Sequence, residues 1–176
     1  MVRMKKKKIL IVIDMQYDFI YGSLKTKEAP KIIKHVVKKI KEYDKKNIYL
    51  TQDTHSKNYL KTQEGKKLPV KHCIKNTKGW EIIKEVKELI DEKNIYEKNV
   101  FGSKRLAEDL SKKKNIKEIE IIGLCTDICV VVNAMLIKTY MPEIKILVDS
   151  KCCAGVTKKS HKEALETMKM CQIEVK

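Results

Sequence analysis

The sequence predicts an α/β fold in which a parallel sheet is covered by helices on both faces. Three observations carry this. Short runs rich in Ile, Val and Leu alternate from end to end with stretches of helical periodicity, the strand–helix–strand pattern of crossover units. Runs such as "ILIVI" (9–13) are apolar without alternation, as strands buried on both faces must be. The 176 residues, 43% of them apolar, suffice for one sizeable core and leave little room for a second, so a single domain spanning 1–176 is expected.

Strands are predicted at 8–14 (KILIVID), 47–53 (NIYLTQD), 94–98 (NIYEK), 118–123 (EIEIIG), 144–149 (IKILVD) and 172–176 (QIEVK). Helical patterns fall near 30–46, 79–93, 103–114, 127–141 and 158–171. The stretch 54–78 has no clear periodicity, and loops of that length are usually functional. There is no internal repeat and no linker rich in Pro, Gly or Ser.

Composition excludes several classes. The chain has 39 Lys+Arg against 23 Asp+Glu, a net charge of +16, but only two of the basic residues are Arg and aromatics make up 6%. Lysines at helical spacing, as in "KIIKHVVKKIKEYDKKN", describe solvated helix faces. Nucleic-acid readers add Arg forks and stacking aromatics, so no specific nucleic acid is expected. The apolar core of "MVRMKKKKILIVID" is five residues long before Asp14, too short for a signal peptide or a membrane span. A cytoplasmic protein with reduced cysteines follows, and the cysteine pairs 125/129 and 152/153 lack the C-x-x-C spacing of structural zinc sites.

In a doubly wound sheet, ligands bind beyond the carboxyl ends of the strands. Asp14, Asp53 and Lys98 close the first three predicted strands, and Cys129 follows the fourth by six residues. In "GLCTDICV", a helix beginning near Asp127 places Cys129 in its first turn, where free N–H groups favour a thiolate and can hold an oxyanion. A buried cysteine acting as a small hydrophobe fits the same residues. Asp14 ends an apolar run, so it is either paired or raised in pKa, and in that state it can take and return a proton. Lys98 supplies a counter-charge, and a plain Asp–Lys ion pair fits as well. "TQDTHS" sets Asp53 and His55 two apart on an extended backbone, and "LPVKHC" brings His72. Two imidazoles and a carboxylate form an open set for Zn²⁺, Fe²⁺ or Mn²⁺, with Glu64 as a candidate fourth ligand. His35 and His161 lie on helical faces and read as solvated.

The segments "ILIVIDMQYDFIYGSL", "TQDTH", "LPVKHCIKNTKGWEI", "EKNVFGS", "GLCTDICV" and "DSKCCAGVT" resemble, in order and spacing, the isochorismatase-like cysteine hydrolases. Within that family the chain is most similar to nicotinamidases and related amidases. The resemblance spans nearly the whole chain. It implies a three-layer α/β/α sandwich on a six-stranded parallel sheet, and a catalytic triad of Asp14, Lys98 and Cys129. It also implies one divalent metal, zinc before iron or manganese, on Asp53, His55 and His72, with Glu64 recruited in some members. A non-proline cis peptide is expected at Leu124–Cys125, aiming the N–H groups of Cys125 and Cys129 at the substrate oxyanion. Phe19, Trp80 and Phe101 are candidates for the substrate wall, and Asn133 stands where many relatives carry threonine. The implied activity is hydrolysis of nicotinamide to nicotinate and ammonia through a thioester. Another small amide or carbamoyl substrate, or a basic binding protein without catalysis, are the alternatives. A small-molecule amide partner, no membrane and a homo-oligomeric state complete the expectations.

Overall fold

The computed structural model describes residues 6–176. Its strands are β1 (Lys7–Ile13), β2 (Ile48–Asp53), β3 (Ile95–Lys98), β4 (Ile116–Leu124), β5 (Lys145–Ala154) and β6 (Glu174–Val175). They form one sheet in the order β3-β2-β1-β4-β5-β6, each neighbouring pair parallel. The helices are α1 (Tyr17–Ile20), α2 (Ala29–Ile40), α3 (Gln63–Lys67), α4 (Lys84–Lys87), α5 (Lys104–Ser111), α6 (Val131–Tyr140) and α7 (Lys158–Met170). Right-handed crossovers put the helices that follow β1 and β2 on one face and those that follow β3, β4 and β5 on the other. The packing agrees, with α2 against α1 and α4, and α6 against α5 and α7. The three-layer architecture is the one the sequence predicts.

Burial explains the layering. Ile9–Ile13 of β1 are all at most 1% exposed, because both faces of this central strand are covered. In α2 the buried residues Ala29, Ile32, Val36 and Ile40 recur at three- and four-residue spacing, and lysines fill the opposite side. Burying side chains of this kind is worth about 1.5–3 kcal/mol each. The helix following β5 is started by a capping box, Thr157 and Ser160 each satisfying the other's backbone N–H.

Two helical expectations change. The predicted helix 30–46 ends at Ile40, since Tyr43 turns inward to bond Glu120. The predicted helix 79–93 is broken into 3₁₀ turns at Lys78–Trp80 and Glu92–Asn94 around the single turn of α4. There Ile82 forms an antiparallel bridge with Gln16, and the Ile83 N–H donates to the Met15 carbonyl, so tertiary pairing holds this segment extended. The unpatterned stretch 54–78 contains the 3₁₀ turn Tyr59–Lys61 and α3.

The chain leaves β1 toward one edge of the sheet and leaves β4 toward the other. A crevice therefore opens beyond the carboxyl ends of these two neighbours. Ile13 is in register with Gly123, whose φ is +119° and whose missing Cβ would lie 2.2 Å from the Ile13 carbonyl oxygen. Only glycine accepts both that backbone angle and that approach.

Candidate active site

Four adjacent strands deliver the site. Asp14 follows β1 with φ of +45°, a left-handed conformation that is uncommon outside glycine and that turns its carboxylate into the crevice. Asp53 ends β2 and Lys98 ends β3, and the two are in register. Beyond β4, the Leu124–Cys125 peptide is cis, as the resemblance implies. The turn Thr126–Val130 that carries Cys129 is π-helical and runs directly into α6.

Lys98 is the hub. Its Nζ lies 2.7 Å from Asp14 Oδ2, 3.3 Å from Asp53 Oδ1 and 3.5 Å from Cys129 Sγ. The contact with Asp14 Oδ2 is charge against charge and not a well-directed hydrogen bond, while Asp14 Oδ1 accepts from the Thr51 hydroxyl at 2.7 Å. Lys98 and Asp14 side chains are 2% and 0% exposed, so water screens none of this. Burial pushes the Asp14 carboxyl above its ordinary range, against the pull of Lys98. Burial, and then the charge of Asp14, push the Cys129 thiol well above the usual value of 9.0. Burial works against the Lys98 ammonium, yet Asp14, Cys129 and Asp53 together hold it protonated. Burial thus works against the thiolate that the first turn of a helix favours.

A second cluster adjoins the first through Asp53. His55 Nε2 lies 2.9 Å from Asp53 Oδ2 and His72 Nε2 lies 3.5 Å from it. One donor atom from each of Asp53, His55 and His72 falls within 4.8 Å of the other two. His72 Nδ1 bonds the Val70 carbonyl at 2.9 Å, which leaves Nε2 facing the cluster. His55 Nε2 is buried without a hydrogen-bond partner of good geometry, an uncompensated group of the sort a bound cation satisfies. Burial alone would raise the Asp53 carboxyl, but both imidazoles and Lys98 draw it well below its ordinary range. The residues fit a divalent metal with His/Asp preference. Glu64 Oε1 stands 3.9 Å from His55 Nε2 and 3.7 Å from His72 Nε2, on the more open side of the cluster.

A cavity of about 840 Å³ borders the turn that carries Cys129, and Phe19, Leu24, Leu68, Cys125, Ile128 and Val156 are among the residues that line it. Phe19 packs on the His72 ring, centroids 5.8 Å apart. The other two wall candidates are not brought here. The indole of Trp80 donates to Thr54 Oγ1, and Trp80 borders a separate hollow with Gln52 and Ile95. Phe101 is 40% exposed on the loop after β3.

Several supporting contacts escaped the sequence reading. Gln16, fully buried, accepts from the Asp53 N–H at 2.7 Å and donates to the Asp53 and Trp80 carbonyls at 2.8 and 2.9 Å. A glutamine two residues beyond a strand-ending aspartate was the available clue. Asn133 donates to the Cys129 carbonyl at 2.7 Å and accepts from the Ser103 N–H at 2.9 Å, tying the nucleophile turn to the loop that follows Lys98. His161, read as solvated, is half-buried and bonds Thr126 Oγ1 at 2.8 Å, and burial lowers its pKa. Asp127 accepts from the Val156 N–H and the Ser160 hydroxyl, so α7 grips the turn from outside.

Comparison with known proteins gives a consistent picture. A family described as the isochorismatase domain matches residues 8–175. An uncharacterized isochorismatase family protein, PncA of Bacillus subtilis (strain 168), is 30% identical over 173 residues, covering 90% of this chain and 92% of its own length. Among solved structures, the nicotinamidase PncA from Bacillus subtilis superposes with a TM-score of 0.80 at 26% identity, over 96% of this chain and 98% of its own. The pyrazinamidase of Pyrococcus horikoshii in complex with zinc superposes with a TM-score of 0.78, also at 26% identity and with the same coverage.

Proposed function

The chain belongs to the isochorismatase family, and from that premise we propose that it is a cysteine amidase that hydrolyses nicotinamide to nicotinate and ammonia with the help of a divalent metal. One observation carries the reading: Lys98 Nζ reaches Asp14, Cys129 and Asp53 at once, which joins a buried acid–thiol pair to a three-donor metal cluster.

The chain's own groups account for the steps. Asp14, whose carboxyl burial makes more basic than usual, takes the proton from Cys129 Sγ as the sulfur forms its bond to the amide carbon. Lys98 stays charged throughout and offsets the negative charge that passes between Asp14 and sulfur. The N–H groups of Cys125 and Cys129 receive the oxyanion, each such donor being worth about 3–4 kcal/mol in the transition state. Asp14 returns the proton to the departing nitrogen, the C–N bond breaks and ammonia leaves a thioester. Water then gives a proton to Asp14 and its oxygen to the acyl carbon. The C–S bond breaks, Asp14 hands its proton to the sulfur, the acid leaves and the thiol is restored. Phe19 packs on the substrate ring and excludes water. Asp53, His55 and His72, with Glu64 near by, would hold a divalent metal, which would supply a Lewis acid for the ring nitrogen of the substrate.

The test is a comparison of nicotinamide with benzamide, which has the same carboxamide and no ring nitrogen. Wild-type protein is expected to turn benzamide over orders of magnitude more slowly. His72→Ala is expected to lower metal content and to cut nicotinamide hydrolysis by about 10²-fold or more. Melting temperature is measured alongside. Equal turnover of the two amides by the wild type would exclude ring-nitrogen ligation and move the assignment to another small amide on the same triad.

A further inference from the structure

Asp18 lies outside both clusters, yet its carboxylate reaches two loops that matter to them. Oδ2 accepts the Cys73 N–H at 2.8 Å, and Oδ1 accepts the Ser23 N–H at 3.1 Å. Cys73 directly follows His72 and has φ of +45°, a conformation that costs a non-glycine residue free energy and must be held in place. On its other side the Cys73 carbonyl accepts the His55 N–H at 2.9 Å. A single residue, pinned by Asp18 at its N–H and by His55 at its carbonyl, thus sets the relation between two imidazoles of the metal cluster.

The second loop is the wall of the cavity. Ser23 and Leu24 both line it, and the Leu24 N–H donates to the Asp18 carbonyl at 3.0 Å. Phe19, the neighbour of Asp18 on α1, faces the same cavity and the His72 ring. The seat of the carboxylate is built for close approach. A Cβ on Gly22 would lie 2.2 Å from Asp18 Oδ1, and one on Gly79 would lie 2.0 Å from Asp18 Oδ2. Two glycines at such distances fix where the carboxylate sits, and a longer acid has no room there.

We propose that Asp18 is a positioning residue that locks the His72 loop and the Ser23–Leu24 wall into one register, so that metal affinity and substrate fit are set together. The metal half of this rests on the function proposed above. The carboxylate touches neither substrate nor metal. It acts through the backbone of Cys73 and Ser23, and bonds from N–H to a charged acceptor are the strong ones.

Asp18→Asn and Asp18→Ala test it, through Zn²⁺ affinity by chelator competition, KM and kcat for nicotinamide, site-resolved iodoacetamide labelling of Cys129, and melting temperature. Asp18→Ala loses both acceptors and is expected to weaken Zn²⁺ binding by about tenfold to a hundredfold. KM is expected to rise by a similar factor, while Cys129 labelling stays within about twofold of wild type. Asp18→Asn keeps one acceptor oxygen and is expected to fall between. Zn²⁺ binding and KM unchanged in both variants would overturn the proposal. So would Zn²⁺ affinity, labelling and melting temperature all failing together, since that describes a merely structural residue. A wild-type protein that binds no divalent cation sinks the metal reading by itself, and KM then decides whether Asp18 sets the wall. A wild type inactive on nicotinamide leaves the Zn²⁺ titration to decide.

Discussion

The two ends of the sheet are built from similar ingredients and put them to opposite use. Beyond the carboxyl ends, Asp14, Asp53 and the Cys129 thiol share one ammonium, Lys98, and nothing in that group is open to water beyond a few percent. At the amino ends, Glu120 meets Lys176 at 2.7 Å, Lys39 at 3.3 Å and the Tyr43 hydroxyl. Asp149 meets Lys39 at 3.3 Å, and Glu118 meets Lys8 at 3.1 Å and Lys145 at 3.7 Å. Glu42 and Glu174 add further carboxylates to Lys39 and Lys145, and Lys8, Lys145 and Lys176 keep about half of each side chain in solvent (56%, 47% and 48%). Although burial opposes it, the surrounding Lys176, Tyr43 and Lys39 draw the Glu120 carboxyl below its ordinary value. Asp14 moves the other way. Buried charge alone therefore does not mark a reactive site; buried charge whose counter-ion is itself cut off from water does.

The sharpest way to break this contrast is through turnover. Cys129→Ala is expected to lower ammonia release by at least about 10⁴-fold with fold and metal content intact. Glu120→Gln, at the other end, should leave kcat/KM within about twofold. Substantial turnover by pure, metal-loaded C129A protein would remove the nucleophile assignment. Cys125→Ala belongs with the mild variants, because only its backbone N–H is used.

A smaller effect sharpens the contrast at the amino ends. The folded-state pKa of Glu120 is depressed, so its stabilisation is present above its ordinary value of 4.5 and is lost as pH falls through the folded value. Wild type should melt above Glu120→Gln at neutral pH, and the gap should begin to close as pH falls through the ordinary value of 4.5 and keep closing below it. A gap that is constant across this range would mean that Glu120 contributes shape rather than charge.

The smallest effect concerns the lysine surplus as a whole. Its members are mostly solvated, and some pair locally, such as Lys31 with Glu28 and Lys169 with Glu166. Binding to duplex DNA should be weak and should fall at least tenfold between about 50 and 200 mM salt. Tight binding that survived physiological salt would give the basic surface a role of its own.

All six strands were legible in the sequence, and so were the residues of both clusters, because the first three strands end in or run into a polar residue and the histidines stand in short motifs of their own. Asp14, Asp53 and Lys98 sit at the point where an apolar run stops, and that placement needs only strand periodicity. What stayed hidden depends on contacts far apart in the chain. "WEIIKEVKELI" has helical spacing, yet Ile82 and Ile83 are claimed by Gln16 and Met15, and no local pattern records that. His161 looks solvated until Thr126, 35 residues earlier, is laid against it. Trp80 has the composition of a pocket wall, but its indole turns to Thr54, a partner supplied by β2's end rather than by its own neighbourhood.

The strand order has a consequence for how the molecule comes into being. Asp14, Asp53, Lys98 and the turn bearing Cys129 hang from β1, β2, β3 and β4, which are contiguous in the sheet but spread across more than a hundred residues of chain. None of these parallel pairs can close as a hairpin, so each waits for a long crossover to be ordered, the slow class of contact in folding. β5 and β6 add their strands at the far edge and contribute none of the four groups. During refolding, the first appearance of activity would therefore time the docking of β3, β2, β1 and β4 on one another. The enzyme's own reaction serves as a clock for the assembly of its central sheet.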